Sequence, residues 1–380
     1  MTLPISTDGS ARIVIAAGGT GGHVFPARAL AQTLRQRGLT PAFVTDRRGI
    51  GFGDELVDVA RYTLSAGGVS GRGLFGAVRG LIDLLVGLIQ ARRLLKRLAP
   101  SLAVGFGGYA SLPPLVAASS LGVPVLIHES NAVLGRANRM LAGRASVIAT
   151  AFEPTAKLAR RHQGKLRRIG NPVRAQVIAA RAEPYAAPGL EGPLQLLVFG
   201  GSQGAGVFAR VVPAALSALA PAMRSGVKVV QQCRGDDLAA VRAAYLAAGI
   251  DAELAEFFGD MPARLARAQL VIARAGASTV AELTTVGRPA ILVPFPYAID
   301  DHQAANAQAL ARNGAAWTMR EPDFTAEALA ATIEQFLTTP SLLAVAAAKA
   351  RAMGAPDATE RLADLAERLI AERRVLGAAA

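Results

Sequence analysis

One pattern occurs twice in this chain: a short apolar run, a glycine-rich turn, then a stretch with helical periodicity. Residues 12–17 lead into Gly18-Gly19-Thr20-Gly21-Gly22-His23, and residues 194–199 lead into Gly200-Gly201-Ser202-Gln203-Gly204-Ala205. A strand that is apolar throughout must be covered on both faces, which is the condition of a parallel sheet. Further apolar runs at 42–45, 102–105, 123–127 and 147–150 follow the first turn; runs at 227–231, 270–273 and 290–293 follow the second. Helical stretches such as 27–37 and 111–121 separate them. This alternation predicts an α/β doubly wound sheet, and its restart predicts two. Ligands in such sheets sit beyond the carboxyl ends of the strands. The expected architecture is therefore two Rossmann-like domains facing each other across a cleft.

The expected boundaries are an N-terminal domain at 1–175, a linker at 176–193 and a C-terminal domain at 194–357. An amphipathic helix at 358–380 completes the chain. The linker assignment rests on the prolines and glycines and the weak periodicity of 181–193. Where the last helix packs is not legible in the sequence. With 52% hydrophobic and 18% charged residues, two cores of this size are readily filled.

Lys and Arg exceed Asp and Glu by 41 to 28, a formal charge of +13. That excess calls for an anionic partner: nucleic acid, phospholipid or a phosphorylated substrate. Nucleic acid is disfavoured, because aromatic residues make up only 5% and the basic residues flank apolar ones. The single cysteine, Cys233, leaves no intramolecular disulfide and no cysteine pair for zinc, and suits a cytosolic protein. The first residues, MTLPISTDGSAR, lack the basic and apolar regions of a signal peptide. No stretch reaches the roughly 18–20 apolar residues of a spanning helix, so any membrane contact is expected to be peripheral.

The glycine turns allow close backbone approach to a ligand, and the helix that follows each favours an anion. The first has neither the dinucleotide spacing nor the lysine of a P-loop. His23 fits a general base, an oxyanion donor or simply a residue at a helix start. A third glycine cluster, Gly105-Phe106-Gly107-Gly108-Tyr109, and the strand ending in His128-Glu129-Ser130-Asn131 would reach the same sheet edge. Glu129 is either a base or a loop anchor. Arg174, in Gly170-Asn171-Pro172-Val173-Arg174, has the fork that matches phosphate oxygens, or is a surface arginine. In the second half, Arg274-Ala275-Gly276-Ala277 follows a strand and opens a helix carrying Glu282. Asp300-Asp301-His302-Gln303 and Asn306 offer groups for sugar hydroxyls or a base edge, with helix capping as the alternative.

Residues 71–98 place apolar residues around much of a helix and flank them with Arg72, Arg79, Arg92, Arg93, Lys96 and Arg97. Either this is an amphipathic segment for an anionic bilayer surface or a buried helix with a basic end. The residues expected to face a membrane are Leu74, Phe75, Leu81, Leu85, Arg92 and Arg93. A second basic run, from Lys157 to Arg168, adds to the same charge.

Taken together and in order, GGTGGHVFP (18–26), GFGGY (105–109), HESN (128–131), GNPVR (170–174), GGSQGA (200–205), RAGASTVAE (274–282) and DHQ (301–303) resemble the MurG family. These are peptidoglycan N-acetylglucosaminyltransferases of glycosyltransferase family 28, with the GT-B fold. The resemblance spans nearly the whole chain. It implies inverting transfer of N-acetylglucosamine from UDP-N-acetylglucosamine to the 4-hydroxyl of N-acetylmuramate on lipid I, giving lipid II. It further implies no cofactor and no obligatory metal. Thr20, Gly21, Gly22 and Asn131 would meet the donor and the reaction centre, and Arg174 and Ser202 the nucleotide. Phe258 would meet the uracil through its backbone. Ala277, Ser278, Thr279, Val280, Ala281 and Glu282 would cradle diphosphate and ribose, and His302 and Gln303 the sugar hydroxyls. Gly107, Gly108 and Tyr109 are expected at the acceptor pyrophosphate. His23 is the preferred base, with Glu129 second. Ser130 stands where the family often carries glutamine. The implied setting is peripheral, at the cytoplasmic face of a bacterial inner membrane, with an anionic lipid surface and other cell-wall synthesis proteins as partners. Two alternatives remain at this point: a UDP-N-acetylglucosamine 2-epimerase-like isomerase and a non-enzymatic nucleotide- or lipid-binding protein.

Overall fold

The structure, a computed structural model, describes residues 11–18, 21–46, 59–65, 74–189, 193–201 and 204–378. The chain forms two compact units, Met1–Arg174 with Pro356–Ala380, and Ala175–Ala355.

The first unit is built on a parallel sheet. Its strands are β1 (Arg12–Ala16), β2 (Thr40–Thr45), β3 (Ala60–Thr63), β4 (Leu102–Gly105), β5 (Val125–Glu129), β6 (Val147–Thr150) and β7 (Leu166–Arg168). Their spatial order is β3-β2-β1-β4-β5-β6-β7. Side chains of β1 alternate between two cores. Ile13 and Ile15 enter one, with Leu30 and Leu34; Val14 and Ala16 enter the other, with Leu95 and Leu115. Helices α1 (Gly21–Gln36), α2 (Leu74–Leu98), α3 (Leu112–Ser120) and α4 (Arg136–Leu141) make the connections.

The second unit opens with α5 (Ala175–Ala180) and continues through α6 (Gly206–Ala218), α7 (Pro221–Arg224), α8 (Gly235–Ala247), α9 (Met261–Arg267), α10 (Ala277–Val286), α11 (His302–Arg312), α12 (Ala326–Thr338) and α13 (Ser341–Met353), and its sheet repeats the plan. The strands are β8 (Leu194–Phe199), β9 (Val227–Gln232), β10 (Asp251–Ala255), β11 (Leu270–Ala273), β12 (Ala290–Leu292) and β13 (Ala316–Thr318). They lie in the order β10-β9-β8-β11-β12-β13. In each sheet the order reverses beside the first strand: β1 pairs with both β2 and β4, and β8 with both β9 and β11. The crevice at such a reversal is where doubly wound sheets bind ligands. Both repeated glycine turns leave the sheet there.

Two expected boundaries are redrawn. Residues 176–189 of the expected linker are packed into the second unit. Arg181 Nη1 donates to Thr285 O at 2.7 Å, and Tyr185 Oη donates to Gln269 O at 2.9 Å. The terminal helix α14 (Ala358–Ala378) returns to the first unit. There Leu362, Ala363, Ala366, Leu369 and Ile370 join the core that holds Leu30 and Leu34. Arg37 pairs with Glu360, with Asp364 at 2.7 Å and with Glu367 at 3.1 Å. These acids are roughly half exposed, so each pair contributes no more than about 1 kcal/mol. Each buried leucine contributes about 1.5–3 kcal/mol, so the apolar stripe decides the docking.

The edge strands β3, β7, β10 and β13 have no counterpart among the apolar runs. They are short and carry exposed polar residues, as edges do. Strand β5 begins two residues later than its apolar run, because Val123 and Pro124 precede the ladder; Pro124 contributes only its carbonyl, to Ala103 N. Leu362→Ala is expected to cost the first unit about 2–5 kcal/mol, measured as a shift of its urea unfolding transition; no shift would mean that α14 is not part of that core.

Candidate active site

At the carboxyl edge of the first sheet, register brings the tips of β1 and β4 side by side, with Ala16 opposite Gly105. Phe106 N donates to Ala16 O at 2.9 Å. The buried Ser111 hydroxyl lies 3.1 Å from Ala16 O and 2.6 Å from Gly107 O, tying the two tips together. His23 stands in the first turns of α1, and its Nδ1 lies 3.2 Å from Gly18 O. With Nδ1–H donating there, the ring is held as the tautomer whose lone pair is on Nε2. That edge of the ring faces Gly107, which has φ +87° and where a Cβ would come within 3.3 Å of Nε2. Any side chain at Gly107 would therefore be strained in its backbone and crowd the imidazole.

The tip of β5 carries a buried polar network. Glu129, 4% exposed, accepts four hydrogen bonds. Oε1 takes Asn131 N at 3.0 Å and Asn131 Nδ2 at 3.2 Å. Oε2 takes Gly135 N at 2.8 Å and Asn138 Nδ2 at 2.9 Å. A carboxylate so engaged fits the loop anchor better than the base, since taking a proton would break bonds that seat the 131–138 segment. Asn138 also donates to His128 O at 3.0 Å. His128 is fully buried, its Nε2 donating to Gly170 O at 3.0 Å. Ser130 Oγ lies 3.4 Å from His128 Nδ1, so in this chain the serine hydroxyl faces the second ring nitrogen. Burial pushes the His128 pKa down, outweighing the pull of Glu129 in the opposite direction. Burial thus favours the neutral ring, which can donate through Nε2 to Gly170 and accept at Nδ1 from the Ser130 hydroxyl.

Arg174 and Arg28 stand over the ring of Phe25, at 5.7 and 5.8 Å from its centroid. Arg28 is 8% exposed, and burial together with the Arg174 charge lowers its pKa. Thr20 and Ser202 lie outside the described residues, and Gly21 and Gly22 open α1.

In the second unit, helix α6 (Gly206–Ala218) follows the β8 turn, and α10 (Ala277–Val286) follows β11 with Gly276 as its N-cap. Ala277, Ser278, Thr279, Val280, Ala281 and Glu282 thus form the opening turns of α10, and its first backbone N–H groups face out beyond the sheet edge. The Asn306 amide, from α11 (His302–Arg312), is buried and donates to Ala275 O at 3.1 Å. It positions this turn rather than reading a sugar. Arg274 is a clamp: it pairs with Glu321 at 2.6 Å and donates to Val293 O and Pro294 O, each at 3.2 Å. Gln303 Oε1 accepts from Phe295 N at 3.0 Å, and His302 Nδ1 lies 2.8 Å from Ile299 O. Both side chains are thus oriented by the loop that follows β12. Asp300 and Asp301 hold φ of 57° and 53°. Two consecutive left-handed residues, neither of them glycine, store strain directly before His302. Asp301 answers Arg320 at 2.8 Å instead of capping the helix. The Phe258 ring is buried under the Arg264 guanidinium, 4.0 Å from its centroid.

On α2, Ile82, Leu85, Val86 and Ile89 are 41–54% exposed at helical spacing, while Ala91, Leu94, Leu95 and Leu98 are buried. Arg92, Arg93, Lys96 and Arg97 are exposed next to the apolar stripe. The side chains of Leu74, Phe75 and Leu81 lie outside the described residues. No single helix among the described residues is long and apolar enough to cross a membrane.

Asn138, Ser111 and Arg274 carry positioning roles that the sequence did not reveal. Each acts on a backbone group brought near by the sheet, and no spacing rule predicts such a partner. The neutral His128 has a consequence for stability. Its folded pKa is depressed, so its contribution is fully present above about pH 6.5 and is lost as pH falls below that value, where the unfolded ring takes up a proton. Urea unfolding of the wild type is expected to weaken between pH 7.5 and 5.5 more than that of His128→Gln; equal slopes would show that folding does not lower the pKa of the ring.

The glycosyltransferase family 28 N-terminal domain model matches residues 13–150, and the C-terminal domain model residues 195–368. The UDP-N-acetylglucosamine–N-acetylmuramyl-(pentapeptide) pyrophosphoryl-undecaprenol N-acetylglucosamine transferase of Paramagnetospirillum magneticum is 54% identical over 94% of this chain and 96% of its own. The Rhodospirillum centenum protein of the same name is 54% identical over 93% of each chain. The crystal structure of Acinetobacter baumannii MurG superposes with a TM-score of 0.78 at 32% identity, covering 94% of this chain and 99% of that one. The chain belongs to glycosyltransferase family 28 and, within it, to the family of these N-acetylglucosamine transferases.

Proposed function

We propose that this chain transfers N-acetylglucosamine from UDP-N-acetylglucosamine to lipid I with inversion, releasing UDP and forming lipid II. The observation that carries the reading is the 54% identity, over 94% of the chain, to a transferase whose name specifies this donor sugar and this undecaprenol-linked acceptor. The acceptor 4-hydroxyl attacks the anomeric carbon. A C–O bond forms there as the bond to the UDP oxygen breaks, and the hydroxyl proton passes to Nε2 of His23. The Gly18 carbonyl supports that assignment, because it orients the ring and favours the tautomer able to accept. Glu129, Asn131 and Asn138 act by fixing the loop beyond β5. In the second unit, the turn after β8 and the opening of α10 meet the charge that grows on the departing diphosphate. Preorganised amides of this kind supply electrostatic stabilisation without a divalent ion.

The exposed stripe of α2 and its neighbouring cations support docking on an anionic membrane surface, where a lipid-linked acceptor resides. The reading is of a peripheral enzyme at the cytoplasmic face of the inner membrane.

Incubation with UDP-N-acetylglucosamine and a short-chain lipid I analogue in EDTA is expected to release UDP. Release without acceptor, or none at all, would overturn the reading. His23→Ala should lower kcat by about 10²–10⁴-fold with little change in the donor KM; equal loss in both would make His23 a binding residue. The double variant Ile82→Ser, Ile89→Ser should sediment less with vesicles of anionic phospholipid than the wild type; undiminished binding would remove α2 from the docking surface.

A further inference from the structure

We propose that Arg234, assisted by Arg210, is a direct contact of the donor diphosphate in this chain. The inference rests on the reading of the β8 turn as the seat of that diphosphate, and adds to it two side chains that no motif marks.

Arg234 follows β9, the strand next to β8 in the sheet, and precedes helix α8 (Gly235–Ala247). Its side chain lies against Gly204 and Gly206. A Cβ at Gly204 would come within 2.7 Å of Arg234 Cγ, and one at Gly206 within 2.1 Å of Arg234 Nη2. The same position at Gly206 lies 3.8 Å from Arg210 Nη1. Glycine at 204 and 206 is thus what lets the guanidinium lie against the start of α6, and a second guanidinium converges on the same residue.

By itself this placement is unfavourable. The start of a helix carries partial positive charge, and α6 has no acidic residue in its first turn and no side-chain cap. Two arginines there repel the dipole and each other. Asp237 accepts from Arg234 Nε at 3.2 Å and so fixes one edge of the guanidinium. Asp237 also lies in the first turn of α8, where its charge is shared with that helix. The Nη2 end remains directed at Gly206, and the Arg234 side chain is 55% exposed, within reach of a ligand. A dianionic group bridging the two guanidiniums would turn the repulsion into attraction, with the fork matching two phosphate oxygens. Nothing in the uridine or the sugar would benefit in the same way.

The test separates phosphate recognition from general damage. Full-length protein is titrated calorimetrically with UDP and with uridine. Arg234→Ala is expected to weaken UDP by about tenfold or more, the worth of a charge-assisted contact, and to leave uridine unchanged. Arg234→Lys should recover part of the loss. Gly206→Ala retains the arginine but displaces it, and should weaken UDP alone. If Arg234→Ala binds UDP as the wild type does, or if UDP and uridine weaken together, the assignment is wrong. A wild type that binds no UDP would overturn the donor-site reading itself, and this inference with it.

Discussion

Parallel pairing throughout each sheet is the constraint on which the rest depends. Every strand ends at the same edge, and that edge is the one place where backbone groups leave the ladder in company. With both faces buried under helices, ligand chemistry has nowhere else to gather. The reversal of order beside β1 and beside β8 opens the edge, because neighbouring chains there depart in opposite directions. The glycine turns, the three-residue link through Ser111 and the opening of α10 all occupy this position.

Around that edge, buried polar residues act on backbone as well as on one another. Glu129 gathers the loop after β5, Asn306 the turn before α10, and Arg274 the strand after it. In each case a main-chain group is among the partners. Loss of one partner would leave a desolvated group behind, at about 1–3 kcal/mol. The loops can therefore be irregular without being loose, which is what a site built from loop tips requires.

Positive charge is distributed in three distinct settings. On α2 it borders an exposed apolar stripe, the arrangement of an interfacial helix. Around Phe25 it is stacked and desolvated; at the start of α6 it opposes a helix dipole. A surplus of +13 is thus partly concentrated where an anion would relieve a local cost. The Arg37 cluster is the contrast: there three acids of α14 answer one guanidinium, and the charge is met within the protein.

The sequence by itself determined the two α/β halves, the central strands and the glycine turns. Buried parallel strands must be apolar throughout, and a chain that turns sharply into a helix beside a ligand must lack side chains, so both leave local marks. Family membership was legible for the same reason, in motifs such as GNPVR and RAGASTVAE. The edge strands were not, because β7 and β10 are short, mixed in polarity and bonded on one side. Only the tertiary structure decided that residues 176–189 pack with the second unit, that α14 closes the core of the first, that Glu129 is held by Asn138, and that Arg234 lies on Gly206. Each of these joins residues distant in the chain through a contact made by packing, and packing partners are set by how sheets and helices stack rather than by any spacing along the sequence.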